Sequence, residues 1–142
     1  MTTTEHSTTG LSITEQRNLA TLARWADTYN NAVDAMCDLY APDCEVRSML
    51  TGMTLNGREA LRKLEHDILA VQPQRRLEVV RAIASGQVVA AECNGVFGAT
   101  TFPAVVFLTF DDAGLIRSDH TYSPDPTGLT QTKCATLHPR PA

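Results

Sequence analysis

The sequence predicts an α+β fold in which helices pack on one face of a curved, mixed or antiparallel sheet. Apolar residues repeat at helical spacing in the first half of the chain and alternate at period two from residue 76 onward. Short polar turns separate the later segments, as in an antiparallel meander. Because the helices precede most of the strands, the order of elements is typical of the α+β class.

Length and charge limit the organisation and the partners. A chain of 142 residues suits one domain, which we place over residues 11–126, between a disordered tail over residues 1–10 and a C-terminal tail over residues 127–142. The 12 basic and 16 acidic residues give a net charge of −4. Nucleic acid and anionic membranes attract basic surfaces, so we expect neither as a partner.

Cysteine usage predicts a cytoplasmic protein. Cys37, Cys44, Cys93 and Cys134 show no C-x-x-C spacing, and the four histidines are scattered. We therefore expect reduced thiols, no metal and no cofactor. The N-terminus lacks an apolar segment typical of a signal peptide, and the longest apolar stretch is too short to span a bilayer.

Two helices are predicted before the first strand. Ser12-Ile13-Thr14-Glu15 has the form of a capping box and opens a helix over residues 13–29, which Asn30-Asn31 ends. A second, short helix is predicted to end at Ala41-Pro42-Asp43. Its buried stripe is Val33, Met36, Leu39 and Tyr40.

A short strand over residues 44–49 and a third helix follow. Thr51-Gly52-Met53 is predicted as a loop, and Asn56-Gly57-Arg58-Glu59 resembles a second capping box. The helix that it opens is predicted to end at Gln72-Pro73-Gln74. Its inward residues are Leu61, Leu64, Ile68 and Leu69.

Four strands complete the predicted domain, over residues 76–84, 88–97, 102–110 and 116–122. The turn Asp111-Asp112-Ala113-Gly114 joins the last two, with glycine where a positive φ is expected. Alternation along the last strand places Asp119 and Thr121 on one face, and Ile116, Ser118, His120 and Tyr122 on the other. The prolines of Ser123-Pro124-Asp125-Pro126 end the sheet.

Four segments between Leu11 and Pro126 resemble the SnoaL-like branch of the nuclear transport factor two-like superfamily, which includes ketosteroid isomerase, limonene epoxide hydrolase and polyketide cyclases. The segments are Ala26-Asp27-Thr28-Tyr29-Asn30-Asn31 with Asp38-Leu39-Tyr40-Ala41-Pro42-Asp43-Cys44, then Asn56-Gly57-Arg58-Glu59-Ala60-Leu61, then Phe107-Leu108-Thr109-Phe110-Asp111-Asp112-Ala113-Gly114-Leu115-Ile116, and Tyr122-Ser123-Pro124-Asp125-Pro126. The resemblance implies a cone-shaped α+β barrel, a pocket between the concave sheet face and the helices, and often a homodimer through the outer sheet face.

The catalytic groups of the best-known relatives are absent at the matching positions. The resemblance places the carboxylates of ketosteroid isomerase at Ser48 and Val106. It places the charged groups of the epoxide hydrolases at Cys93, Gly95 and Thr121, and the aspartate of the aklanonic-ester cyclases also at Thr121. None of these named activities therefore transfers to the chain by position.

The inward positions predict a mainly apolar cavity for a polyketide, terpenoid or steroid-like molecule, because small residues stand at Ala91, Cys93, Gly95 and Ala104. Small residues also permit close packing of helices, which is the alternative interpretation. Cys93 has no neighbouring cation, so we expect an inert thiol. The predicted substrate-binding residues are Trp25, Tyr29, Val46, Ser48, Cys93, Val106, Leu108 and Thr121.

Asp119 is the predicted catalytic group. A carboxylate that loses hydration without gaining a counter-ion has a raised pKa and can both accept and donate a proton near neutral pH. A slip of one residue, or a bulge near Arg117, would instead turn His120 inward, and His120 is the alternative catalytic residue.

Two functions remain open from the sequence. The first is a cofactor-independent acid/base enzyme acting on a hydrophobic small molecule, as a cyclase, isomerase, dehydratase or epoxide-opening enzyme. The second is a non-catalytic small-ligand-binding or assembly module of the same fold. In either case we expect a homodimer formed by the outer sheet face, on which alternation places Glu92, Asn94, His120 and Tyr122.

Overall fold

The computed structural model describes residues 10–125, so the predicted tails, apart from Gly10, lie outside the described residues. Three helices are α1 (Ile13–Asn31), α2 (Val33–Cys37) and α3 (Arg58–Val71). Six strands are β1 (Tyr40–Ser48), β2 (Met53–Asn56), β3 (Arg76–Ser85), β4 (Val88–Phe97), β5 (Thr100–Phe110) and β6 (Ile116–Tyr122). No described helix is long and apolar enough to cross a membrane.

The strands form one curved sheet in the order β2-β1-β6-β5-β4-β3, with β1 and β6 parallel and the other neighbours antiparallel. The predicted α+β class and late meander are confirmed. The sheet is unclosed, because β2 and β3 lie at its opposite edges. The helices cover one face, where Leu22, Trp25 and Leu61 join the core with side chains of β1, β4, β5 and β6.

The predicted capping box of α1 is confirmed. Ser12 Oγ accepts a hydrogen bond from the Glu15 backbone N–H at 3.0 Å, and the Glu15 carboxylate accepts one from the Ser12 N–H at 2.9 Å. These bonds satisfy two backbone donors that a helix start leaves without intrahelical partners. The helix extends two residues beyond the predicted end, to Asn31.

The chain around Tyr40 differs from the prediction. Helix α2 ends at Cys37, and Tyr40 begins β1 as a buried strand residue instead of ending a helix. Spacing of apolar residues misled the prediction here, because Met36 and Tyr40 are both buried but belong to different elements.

The second predicted capping box is wrong. Asn56 belongs to β2, a strand that the sequence analysis missed, and pairs with Glu45. Gly57 is the N-cap of α3, with φ of 98° and no side-chain capping bond. Glycine suits this position because its backbone lies in the region that side chains disfavour.

A bulge near Arg117 changes the faces of β6. Thr109 pairs with Ser118 but Phe110 pairs with Ile116, so Arg117 is the extra residue. Ile116 and Asp119 are consequently both buried, although alternation had placed them on opposite faces. The predicted inward position of Asp119 is confirmed, and the outward position predicted for Ile116 is wrong.

Candidate active site

A cavity of about 130 Å³ lies between the helices and the inner sheet face. Most of its wall is apolar, and its polar groups come mainly from β1, α3, β6 and the segment after β6. It is lined by Trp25, Tyr29, Met36, Val46, Arg47, Ser48, Met53, Leu61, Leu64, Glu65, Ile68, Leu77, Phe97, Phe102, Ala104, Asp119, Thr121, Ser123, Pro124 and Asp125.

The Asp119 carboxyl is held in this wall by two hydroxyl groups. Tyr40 donates from its hydroxyl to Asp119 Oδ2 at 2.6 Å, and Thr121 donates to Oδ1, also at 2.6 Å. The residue is 4% exposed. Since each carboxylate oxygen has two lone pairs, each keeps one that these hydroxyl groups do not use.

Trp25 fixes the direction of the bond from Tyr40. Its indole Nε1–H donates to the Tyr40 hydroxyl oxygen at 3.0 Å. An indole can only donate, so the Tyr40 oxygen accepts from Trp25 and its own proton is directed to Asp119. Tyr40 is almost completely buried at the start of β1, and Trp25 lies in the buried stripe of α1.

Burial raises the pKa of Asp119, and the hydrogen bonds from Thr121 and Tyr40 act in the opposite direction. The charge on Glu65 raises this pKa further. Within residues 10–125, its hydrogen bonds come from hydroxyl groups and not from a cation. Burial also raises the pKa of Tyr40, which stays a protonated donor at neutral pH.

Glu65 forms a second polar region of the wall, supported by a buried arginine. Arg75 Nη1 lies 2.5 Å from Glu65 Oε2, with side-chain exposures of 1% for Arg75 and 12% for Glu65. The guanidinium also lies over the Tyr29 ring, with its Cζ 3.8 Å from the ring centroid. The sequence analysis did not single out either charged residue.

His120 lies on the outer face, so the alternative that placed it inward is wrong. Its Nε2 is 3.4 Å from Glu45 Oε1, and its side chain is 34% exposed. The bulge near Arg117 is present, but it displaces Ile116 and leaves Asp119 and Thr121 toward the cavity.

Five of the predicted substrate-binding residues line the cavity, namely Trp25, Tyr29, Val46, Ser48 and Thr121. The other three, Cys93, Val106 and Leu108, are buried in the core and do not line it. Burial raises the pKa of the Cys93 thiol to about 11, as expected for an inert cysteine.

The small residues of β4 do not provide the roomy cavity that was predicted. A Cβ added to Gly95 would lie 2.5 Å from Cζ of Phe102, so the ring of Phe102 fills the space that the glycine leaves. Phe102 forms an edge-to-face pair with Phe97, and both rings line the cavity. Of the four small residues, only Ala104 lines it.

Residues 10–125 contain no group of three or more His, Cys, Asp or Glu side chains placed to hold a metal ion. His66 lies on the surface, where its Nε2 is 2.9 Å from Asp34 Oδ1. Cys37, Cys44 and Cys93 are free and buried, and Cys134 lies outside the described residues.

Residues 22–118 match the family described as SnoaL-like domain. No curated protein matches the chain. Among solved structures, an NTF-2 like protein of unknown function from Burkholderia xenovorans LB400 gives a TM-score of 0.71 at 17% identity, covering 92% of this chain and 99% of its own.

Two further solved structures have names that describe reactions. A steroid delta-isomerase from Pseudomonas aeruginosa gives a TM-score of 0.63 at 22% identity, covering 84% of this chain and 86% of its own. The epoxide hydrolase/cyclase-like enzyme SalBIII of salinomycin pyran ring formation gives 0.67 at 19% identity, covering 78% and 92%. At these identities the likeness shows the fold alone.

Proposed function

Because the chain belongs to the SnoaL-like domain family, we propose that it is a cofactor-independent enzyme that moves protons on a hydrophobic small molecule, with Asp119 as general acid and base. One observation carries the proposal: the Asp119 carboxyl is buried in the wall of an apolar cavity, and within residues 10–125 its hydrogen bonds come from hydroxyl groups and not from a cation. Such a carboxyl is suited to both directions of proton transfer near neutral pH.

The proposed reaction consists of two proton transfers at Asp119. In the ionised form, Asp119 uses a free lone pair to take a proton from a carbon next to a carbonyl group, or from a hydroxyl group or water that attacks an electrophilic carbon. Tyr40 and Thr121 stabilise the carboxylate before the transfer. The protonated carboxyl then returns the proton to the new carbanion, enolate or alkoxide. Each cycle leaves Asp119 in its starting state.

The cavity volume limits what is enclosed. An apolar protein cavity of roughly 150 Å³ holds benzene. At about 130 Å³, the cavity of this protein has room for about one ring, and a larger substrate would extend past Ser123, Pro124 and Asp125. We therefore propose a terpenoid-sized substrate, or a polyketide of which one ring enters.

The comparisons support this class of chemistry. The names steroid delta-isomerase and epoxide hydrolase/cyclase-like enzyme describe reactions in which protons move without a redox change. The proposed site is not copied by position from the known relatives. Its carboxyl comes from Asp119 of β6, and the hydrogen-bond donors to that carboxyl come from Tyr40 and Thr121.

A non-catalytic ligand-binding module is the second candidate. It is favoured by the fact that both Asp119 oxygens already accept hydrogen bonds within the chain, as in a structural carboxyl. Both candidates would bind the small molecule, but only the enzyme would convert it to a product.

The test uses nuclear magnetic resonance in heavy water with a panel of ring ketones and terpenoid epoxides. Deuterium entering next to the carbonyl reports enolisation, and new diol or ether signals report epoxide opening. We expect turnover by the wild type, a loss of roughly a hundredfold or more in Asp119→Asn, and turnover within a few fold of wild type in His120→Gln. Full turnover in a folded Asp119→Asn protein would remove Asp119 from the reaction. Binding without turnover across the panel would support the binder.

A further inference from the structure

Arg75 is a buried cation paired with the Glu65 carboxylate. Its Nη1 lies 2.5 Å from Glu65 Oε2, and its Nε and Nη2 atoms have no hydrogen-bond partner in the described chain. Buried charges are normally paired, and here the pair consists of Arg75 and Glu65. The guanidinium lies between the Tyr29 ring and the Glu65 carboxylate, and both of those side chains line the cavity.

Glu65 brings this charge pair to the cavity surface. Its side chain projects from α3 between Leu64 and Ile68, two apolar residues that also line the cavity. Within residues 10–125, Glu65 Oε2 is buried against Arg75, and the Glu65 side chain as a whole keeps an exposure of 12%. The Arg62 cluster on the outer side of α3 differs, since there the carboxylates of Asp34, Asp38 and Glu59 all accept hydrogen bonds.

We propose that Glu65, positioned by Arg75, binds a hydroxyl group of the substrate, so that the ligand is a hydrophobic molecule with a neutral hydrogen-bond donor away from its reacting centre. The inference deepens the proposed function, since it assigns the substrate class for the same cavity. Asp119 on β6 and Glu65 on α3 then hold the molecule at two polar points separated by apolar wall.

A neutral donor fits better than a charged one. Arg75 already neutralises Glu65, so an ammonium group at this point would meet a guanidinium beside the carboxylate and gain little net attraction. An anionic group would approach Glu65, Asp119 and Asp125, which all line the cavity. A hydroxyl group donates to the carboxylate without changing the charge, and a hydrogen bond to a charged group is among the stronger kinds.

Fluorescence of Trp25 provides the test, because it is the only tryptophan of the chain and it lines the cavity. The probes are menthol, p-menthane, which lacks the hydroxyl, and menthylamine. We expect the wild type to bind menthol about tenfold or more tightly than p-menthane, and Glu65→Gln to lose most of that preference. The control is Asp67→Asn, an exposed carboxylate on the same helix, which should keep the preference.

Removing one member of a buried charge pair can prevent folding, so Glu65→Gln with Arg75→Met provides a second variant without either charge. It should also lose the preference while showing wild-type circular dichroism. The proposal is overturned if either folded variant prefers menthol over p-menthane as strongly as the wild type does. Tighter binding of menthylamine than of menthol would also overturn it.

Asp119→Asn separates this inference from the proposed function. We expect it to lose turnover but keep the preference for menthol. Loss of the preference in Asp119→Asn alone would assign the hydroxyl to Asp119 and overturn the role of Glu65. Intact preference with no turnover in any variant would contradict the enzyme and leave the hydroxyl site standing.

Discussion

Asp119 and His120 are neighbours on β6, and the sheet places them in opposite environments. Asp119 is 4% exposed and is bonded to two hydroxyl groups on the concave face. His120 has a side chain that is 34% exposed and lies near the Glu45 carboxylate on the outer face. The two residues were the alternative catalytic groups in the sequence, and only one of them reaches the cavity.

The difference teaches that a charged partner and access to water determine the pKa of a side chain more than its residue type does. On the inner face, burial raises the pKa of Asp119. On the outer face, the hydrogen bond from His120 lowers the pKa of the Glu45 carboxyl, which solvent also reaches. The pKa of the inner carboxyl is therefore raised and that of the outer carboxyl is lowered, although both lie on neighbouring strands of one sheet.

Replacing the inner tyrosine should have the largest effect on stability. Tyr40→Phe leaves the Trp25 indole N–H without its acceptor and Asp119 Oδ2 without its donor. We expect a loss of roughly 2 kcal/mol or more in unfolding free energy by urea titration, because two buried polar groups lose partners. Tyr122→Phe is the outer-face control and should change stability by less than about 0.5 kcal/mol. Similar losses in both variants would contradict the contrast between the faces.

The next effect concerns packing on β4. Gly95→Ala adds a Cβ that would lie 2.5 Å from the Phe102 ring, and we expect a cost of roughly 1–3 kcal/mol from overpacking. The control is the adjacent exposed residue, changed as Asn94→Ala, which should cost less than about 0.5 kcal/mol. An unchanged melting temperature in Gly95→Ala would show that Phe102 moves freely into the cavity.

The pH dependence of stability sharpens the electrostatic contrast. Below the ordinary aspartate pKa of about 3.9, Asp119 is protonated in both the folded and the unfolded chain. As the pH rises, the unfolded chain releases the proton first because the folded pKa is raised. The stability of wild type relative to Asp119→Asn should therefore fall with rising pH until the folded pKa is passed. The total fall is about 1.4 kcal/mol for each pKa unit by which the folded pKa exceeds the unfolded pKa.

Urea titrations of both proteins from acid to neutral pH measure this difference. The amide of Asp119→Asn alters the hydrogen bonds to Tyr40 and Thr121, but that change adds a constant offset and leaves the slope to report the carboxyl. If the stability of wild type relative to Asp119→Asn instead rises with pH, the hydrogen bonds from Tyr40 and Thr121 lower the pKa of Asp119 more than burial raises it.

The outer face gives the smallest effect, on association. Phe107 and Tyr122 form an edge-to-face pair there with centroids 6.1 Å apart, and they are 43% and 38% exposed. We propose a homodimer through this face and expect Tyr122→Arg to weaken it by about tenfold, since two arginines would meet across a symmetric contact. Sedimentation at micromolar concentration measures the change, with Arg24→Ala on α1 as the control. A wild-type monomer would remove the dimer.

Local patterns predicted most of the fold. The capping box at Ser12, the strands from β3 to β6 and the turn ending at Gly114 follow from short-range chemistry that the sequence displays directly. Strand β2 was missed because its four residues are too few to establish a period, and Asn56-Gly57 resembled a helix start.

The site was predicted in part. Period two placed Asp119 and Thr121 together on the inner face. It could not place Tyr40, the other partner of Asp119, because Tyr40 shares a helical spacing with Met36 and is brought to Asp119 by the parallel pairing of β1 with β6. Arg75 follows a proline-containing loop without any period, and arginine is rarely buried. A buried charge pair is visible only once α3 and the start of β3 are placed together.

The most direct test of the account is the titration of the Asp119 carboxyl itself. Nuclear magnetic resonance of protein isotope-labelled at the aspartate side-chain carboxyl carbon follows each aspartate with pH, and the signal missing from Asp119→Asn identifies Asp119. We expect this carboxyl to titrate above the ordinary aspartate pKa of about 3.9, while the exposed Asp34, held by hydrogen bonds to His66 and Arg62, titrates below it. An Asp119 carboxyl that titrates at or below 3.9 would contradict its role as a proton donor and acceptor near neutral pH.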